Sequence, residues 1–163
     1  MTTLQNNILE ILKKDARMSA KQIAAMLSFD EAEVKACIEE MENSGVLVKY
    51  TAIINSERTE NSIVEALIEV KVTPKKKEGF DGIAKQIAAF PEVQAVYLMS
   101  GAYDLAVFLR DATLQKVAQF VSERISTFDG VVSTATHFIL KKYKIEGQVT
   151  ETKSESERQI IQA

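Results

Sequence analysis

Apolar side chains recur at two different periods along this 163-residue chain, and the change of period divides it in two. Over the first 45 residues they return every three or four positions, the spacing of one helical face. Leu4, Ile8, Ile11 and Leu12 make the first stripe, which the polar stretch 13–17 ends. Ser19, with Gln22 three residues on, has the spacing of a capping box and opens a short second helix through Ile23, Met26 and Leu27. Asp30 opens a third, with Glu33 as the reciprocal cap partner. Val34, Cys37, Ile38 and Met41 share its apolar side until Gly45 stops it. Residues 46–54 then read as extended chain rich in β-branched side chains, and the polar run 55–62 as a joint between domains.

From residue 63 the period falls to two. Val64, Ala66, Ile68, Val70 and Val72 alternate with Glu65, Glu69 and Lys71, the mark of a half-buried strand. Phe80, Ile83, Ala84 and Ile87 return to helical spacing up to Pro91. Strands are expected at 93–100 and 104–110 around a turn at 101–103. An amphipathic helix follows through Leu114, Val117, Ala118, Val121 and Ile125, ended by Asp129 and Gly130, and a last strand covers 131–140. The order strand, helix, strand, strand, helix, strand predicts an α+β chain: a winged helix-turn-helix followed by a ferredoxin-like βαββαβ domain with a four-stranded antiparallel sheet.

The boundaries expected are a helix-turn-helix domain at 1–54, a linker at 55–62, the sheet domain at 63–142 and an extension at 143–163. Two helices cover only one face of such a sheet. The central strands nevertheless look apolar on both faces, with Val93, Ala95, Tyr97 and Met99 on one side and Val96 and Leu98 on the other. Ala106 and Phe108 likewise back onto Leu105, Val107 and Leu109. Burying such surface at ~25 cal/mol per Å² favours association, so a homodimer through the sheets is expected. Beyond Tyr143 the chain turns polar, consistent with a disordered extension or a short terminal helix around Ile160 and Ile161.

Composition narrows the functional classes. With 46% hydrophobic and 26% charged residues the chain has the balance of a globular protein. A single cysteine, Cys37, rules out an intramolecular disulfide and fits a reducing cytoplasm. The longest apolar runs, such as residues 105–109, are far short of the ~20 residues that span a bilayer, and no basic-then-apolar leader opens the sequence. The expectation is a cytoplasmic protein with no membrane partner. A net charge of −3 supplies no global attraction for nucleic acid, so any such contact must be local.

Three N-terminal helices, the segment GVLVKYTAIIN, a ferredoxin-like second half and SGAYDLAVFL in its central hairpin together resemble the Lrp/AsnC family of feast/famine transcription regulators. The likeness runs from about Leu4 to Lys144, and Gly101, Tyr103 and Asp104 between two apolar strands are its most specific part. The resemblance implies double-stranded DNA as a partner, read through the helix-turn-helix. It also implies an amino acid or related metabolite as effector, and dimers that assemble to an octamer. By the same resemblance Gly101, Ala102, Tyr103 and Asp104 form part of an effector pocket between dimers. The glycine allows an unusual backbone conformation and close approach, and the aspartate offers a carboxylate to an ammonium group. Ser133, Thr134 and Thr136 in the last strand are added as candidate ligand contacts.

The third helix departs from the family pattern. Residues 30–44 hold six acids against one lysine, a net of −5, where a groove-entering helix normally brings basic residues. The cations available for phosphate contact are Lys13, Lys14, Arg17 and Lys21 around the first two helices, Lys35 in the third and Lys49 beyond it. Residues 1–60 still carry seven basic against ten acidic side chains. A second reading therefore stands beside the regulator: a metabolite-sensing or protein-interaction module whose acidic helix-turn-helix no longer binds DNA. Neither reading needs a catalytic residue, a cofactor or a metal. Phosphate loops and Ser/His/Asp arrangements are absent from the sequence. His137 falls in a strand and Cys37 on an apolar stripe, both as packed residues rather than ligands.

Overall fold

In the computed structural model, which describes residues 1–59, 63–74, 76 and 78–150, the chain divides into two units, Met1–Ile53 and Ile54–Ala163. The first unit contains α1 (Thr3–Lys14), α2 (Ala20–Leu27) and α3 (Glu31–Asn43). Each start is fixed by a cap that satisfies backbone N–H groups left without partners in the first turn. Ser19 and Gln22 form the expected capping box, and Thr2 and Gln5 form a second one at α1. Asp30 caps α3 differently. Its short carboxylate accepts from the Ala32 N–H at 2.8 Å, and Glu33 does not close a box.

The three apolar stripes meet in a core whose fully buried members are Ile8, Ile23, Val34 and Met41. Each such side chain contributes about 1.5–3 kcal/mol. Gln5 adds a polar tie, its amide donating to Glu40 Oε2 of α3 at 3.0 Å. Gly45, at φ +74°, supplies the left-handed residue that ends α3. The wing segment differs from expectation, because residues 46–54 form no strand ladder and Val48 is 87% exposed.

The second unit is the expected sheet with two helices. β1 (Val64–Val72), β2 (Val93–Leu98), β3 (Leu105–Asp111) and β4 (Val131–Phe138) lie in the order β2-β3-β1-β4, every neighbour antiparallel. α4 (Asp81–Ala88) and α5 (Leu114–Glu123) supply Ile83, Ile87, Val117 and Phe120 to a core with Ile68, Val70, Leu105 and Val107 of the sheet. Phe90 packs edge-on to Phe120 at 5.1 Å between ring centres.

The uncovered face is less uniform than the sequence pattern suggests. A register shift between Val93 and Ala95 turns Val93 toward the helices, away from the row of Ala95 and Tyr97. Tyr97 and Phe108 form an aromatic pair at 5.8 Å, and pairing register puts Leu67 and Ala106 beside them. Charges flank this centre: Arg110 lies 3.7 Å from Glu65, and His137 Nε2 lies 3.4 Å from Glu69.

Beyond β4, residues 144–149 form neither a helix nor a disordered tail. β5 (Lys144–Ile145) and β6 (Gln148–Val149) make a hairpin whose turn residues Glu146 and Gly147 both have positive φ. Asn55 donates to the Thr150 carbonyl at 2.9 Å and tethers the hairpin's end. Ile160 and Ile161, expected in a terminal extension, lie outside the described residues.

Candidate functional site

The cations of the first unit are unevenly distributed. Lys13, Lys14, Arg17 and Lys49 line one groove of ≈ 770 Å³, whose floor is Leu9, Leu12 and Leu47. Only Asp15 contributes an acid there. Two of these cations have partners, Lys13 with Glu10 at 2.8 Å and Arg17 with Asp15 at 3.3 Å, but every member of these pairs is exposed, so the pairs are weak and exchangeable. The same contacts hold the Glu10 and Asp15 carboxyls below their ordinary range, through the Lys13 hydrogen bond and the Arg17 N–H respectively.

Lys21 and Lys35 do not join this groove. Lys21 lies in the first turn of α2, and Lys35 lies 3.9 Å from Glu39 on α3. There Lys35 lines a second cleft with Glu39 and Glu42. Tyr50 hydrogen-bonds to Glu42 at 2.9 Å, and burial followed by that carboxylate pushes its phenol up. Glu31 and Glu33 occupy the first turn of α3, whose N-terminal dipole would otherwise attract phosphate. Cys37, half-buried on the same helix, is pushed up by burial and then by Glu40 and Glu33.

In the second unit, the β2–β3 connection presents Gly101 and Ala102 to solvent and leaves Tyr103 half-buried. Asp104 anchors this turn by three bonds. Its carbonyl accepts from Met99 at 2.8 Å, its N–H donates to Val70 at 3.1 Å, and its Oδ2 accepts from the Val72 N–H at 2.8 Å. The β1–β3 ladder ends at Val70, so without that carboxylate the Val72 N–H would lose its partner. Gly101 is not in a left-handed conformation, contrary to the role expected for it. A Cβ there would meet nothing within 4 Å, so the glycine leaves open space rather than permitting a special backbone shape.

Nor do the three hydroxyls of β4 converge. Ser133 pairs with Lys71 on the uncovered face. Thr134 and Thr136 pair with Val70 and Ile68 on the helix-covered side, where Thr134 lies 3.3 Å from the Ser126 hydroxyl. Asp104 and Ser133 flank the end of β1 on opposite sides, about 10 Å apart at two strand spacings. Among the described residues, no group of three His, Cys, Asp or Glu side chains could hold a metal ion, and no helix is long and apolar enough to cross a membrane.

Residues 1–48 match a winged helix-turn-helix DNA-binding domain, and residues 65–149 match the Lrp/AsnC ligand-binding domain. The chain belongs to the Lrp/AsnC family. It is 45% identical over 162 residues to the HTH-type transcriptional regulator YugG of Bacillus subtilis, covering 99% of this chain and 98% of that one. Its fold matches the leucine response regulatory protein LrpA of Mycobacterium tuberculosis, with TM-score 0.76, 20% identity, and 93% and 100% of the two chains covered. It also matches the transcriptional regulator NMB0573 of Neisseria meningitidis, solved as a complex with L-Met, with TM-score 0.69, 19% identity, and 89% and 93% covered. This Lrp/AsnC regulator is therefore a transcription factor rather than an enzyme, with DNA and a small-molecule effector as its partners. A module that has lost DNA binding is not favoured, since the unit carrying the acidic α3 is itself the part that matches a DNA-binding domain.

Proposed function

We propose that this regulator grips double-stranded DNA through the cation-lined groove at the end of α1 rather than through α3, and that an amino acid seated at the 101–104 turn governs its assembly. The observation that carries this reading is the separation of charge within the first unit: a groove with four cations and one acid, against a third helix of net −5. Lys13, Lys14, Arg17 and Lys49 make the main phosphate contacts, with Lys21 and Lys35 as outlying ones. Residues 1–54 serve as the DNA-facing domain, 55–62 as the connector, 63–142 as the sensing and assembling domain, and 143–163 as an extension.

At the turn, open space at Gly101 admits the ligand and backbone groups of Ala102 and Tyr103 lie at hand for its carboxylate. Asp104, with Oδ2 engaged by Val72, has Oδ1 to offer an ammonium group. The complex of NMB0573 with L-Met supports an amino acid as the effector class. Ser133, on the same end of the sheet, serves as a contact from across a subunit boundary, and Thr134 and Thr136 back the strand that carries it. Two copies pair through their uncovered sheet faces, centred on Tyr97 and Phe108, and dimers gather further up to an octamer. The regulator works in the cytoplasm.

The test is fluorescence anisotropy with the protein's own upstream DNA and with unrelated DNA across a salt series. Binding should weaken with a slope of about −0.9 in log K against log salt for each phosphate contact. Lys13→Ala and Lys49→Ala should each flatten that slope, while Lys35→Ala should barely change it. An absence of binding at low salt overturns the DNA reading, and a large loss from Lys35→Ala alone returns the contact to α3.

A further inference from the structure

Two carboxylates stand on the uncovered face of β1, and they are balanced in different ways. Glu65, Leu67, Glu69 and Lys71 alternate along that face, while Ala66, Ile68, Val70 and Val72 point into the core. Glu65 is ion-paired to two permanent cations, Arg110 of β3 at 3.7 Å and Lys142 beyond β4. Glu69 lies 3.4 Å from His137 Nε2 of β4, and among the described residues it makes no other ion pair. Its only countercharge is therefore one that titrates.

The pairing register sets Glu69 among apolar neighbours. One row across the sheet reads Tyr97, Ala106, Glu69, Ala135, and the next reads Ala95, Phe108, Leu67, His137. Only methyl groups flank Glu69 from the adjoining strands, and its side chain is 32% exposed against 56% for His137. α4 and α5 both pack on the other side of the sheet. The titratable and charged groups that share this face with the imidazole are thus Glu65, Glu69 and Lys71 of β1, Tyr97 of β2, Arg110 of β3 and Lys142. His137 is the one histidine in the chain, and imidazole is the side chain whose charge ordinarily changes between about pH 5 and 8.

We infer that His137 and Glu69 make the association of two copies pH-dependent, tight while the imidazole carries its proton and loose once it is lost. This rests on the pairing of copies through their uncovered sheet faces and adds a control to it. In a single chain, water solvates both groups, and so exposed a pair contributes little. When a second copy covers the face, that water is displaced. A carboxylate left there without a countercharge pays a heavy desolvation cost, whereas one joined to an imidazolium is covered as a neutral pair. Glu65 keeps its cations throughout, so its cost does not vary with pH. The paired state therefore holds the His137 proton more tightly than the single chain does. By linkage, acidification from pH 8 toward pH 6 drives association, and alkalinisation releases the copies.

The experiment is sedimentation equilibrium of the full chain from pH 5.5 to 8.5 at constant ionic strength. The dissociation constant of the pair should rise about tenfold or more between pH 6 and pH 8. His137→Gln keeps a hydrogen-bond donor but no charge, and should associate at every pH as weakly as the parent does at pH 8. His137→Arg carries a permanent cation and should hold tight association through pH 8. Glu69→Gln removes the carboxylate that needs neutralising, so it should associate tightly at pH 8 and lose the strengthening on acidification. A parent constant that stays flat from pH 6 to pH 8, or a dependence that survives in His137→Gln, overturns the inference and leaves the sheet pairing standing. Single chains at every pH, in the parent and in His137→Arg alike, overturn the pairing itself and the inference with it.

Discussion

Asp104 holds the turn together and is also the carboxylate proposed to meet the ligand, so substitutions there must separate two roles. Asp104→Ala orphans the Val72 N–H and should cost about 1–3 kcal/mol in urea unfolding whether or not an effector binds. Asp104→Asn keeps an acceptor for that N–H and removes the charge. It should stay within about 1 kcal/mol of the parent while losing the thermal stabilisation conferred by the effector. Retained stabilisation in Asp104→Asn would show that the charge is not read. Gly130 makes a different kind of demand. At φ +98°, with an added Cβ only 3.1 Å from Ile83 Cδ1, Gly130→Ala should lower stability by about 1 kcal/mol or more, whereas Gly101→Ala should leave it nearly unchanged. Cys37, its thiol raised by burial and by acidic neighbours, should react with iodoacetamide at pH 8 more slowly than free cysteine, and equal rates would contradict that environment.

At the scale of the elements, α3 is capped by acids that stabilise its N-terminus and repel a phosphate backbone by the same charge. Replacing Glu31 and Glu33 with Gln should cost the helix about 0.3–1 kcal/mol each while raising DNA affinity most at low salt. Unchanged affinity across the salt series would place α3 away from the duplex. Much at this scale was legible in advance. Ser19 with Gln22, Asp30 and Gly45 mark helix ends through contacts only two to four residues apart, which is why their spacing reads directly. The Thr2–Gln5 box carries the same signal, but it opens two residues ahead of the first apolar position, Leu4, so the apolar stripe does not reveal it. Likewise, Glu146-Gly147 between short polar runs was a hairpin signal in a stretch expected to be tail or helix. The split of Ser133 from Thr134 and Thr136 follows from simple alternation along a strand, so their placement on opposite faces of the sheet is legible in the sequence.

For the molecule as a whole, the decisive surface is the sheet face without helices. Its Tyr97 and Phe108 pair is apolar and accessible, with Tyr97 55% exposed, while Glu65, Glu69, Arg110 and His137 stand around it. An apolar centre with a charged border is the arrangement of an interface, so Tyr97→Asp should convert the assembly to single chains in sedimentation velocity at micromolar concentration. A parent that already sediments as single chains would remove the proposed pairing. The sequence alone determined the helices, the strands, their order and therefore the fold, because periodicity, caps and glycine ends are local properties of the chain. Tertiary structure alone decided which cations share a groove, that Asp104 reaches Val72, that Val93 turns inward, and that Asn55 tethers the C-terminal hairpin at Thr150. Those outcomes depend on register and on chain closure between residues up to 95 positions apart, and no local pattern encodes such distances.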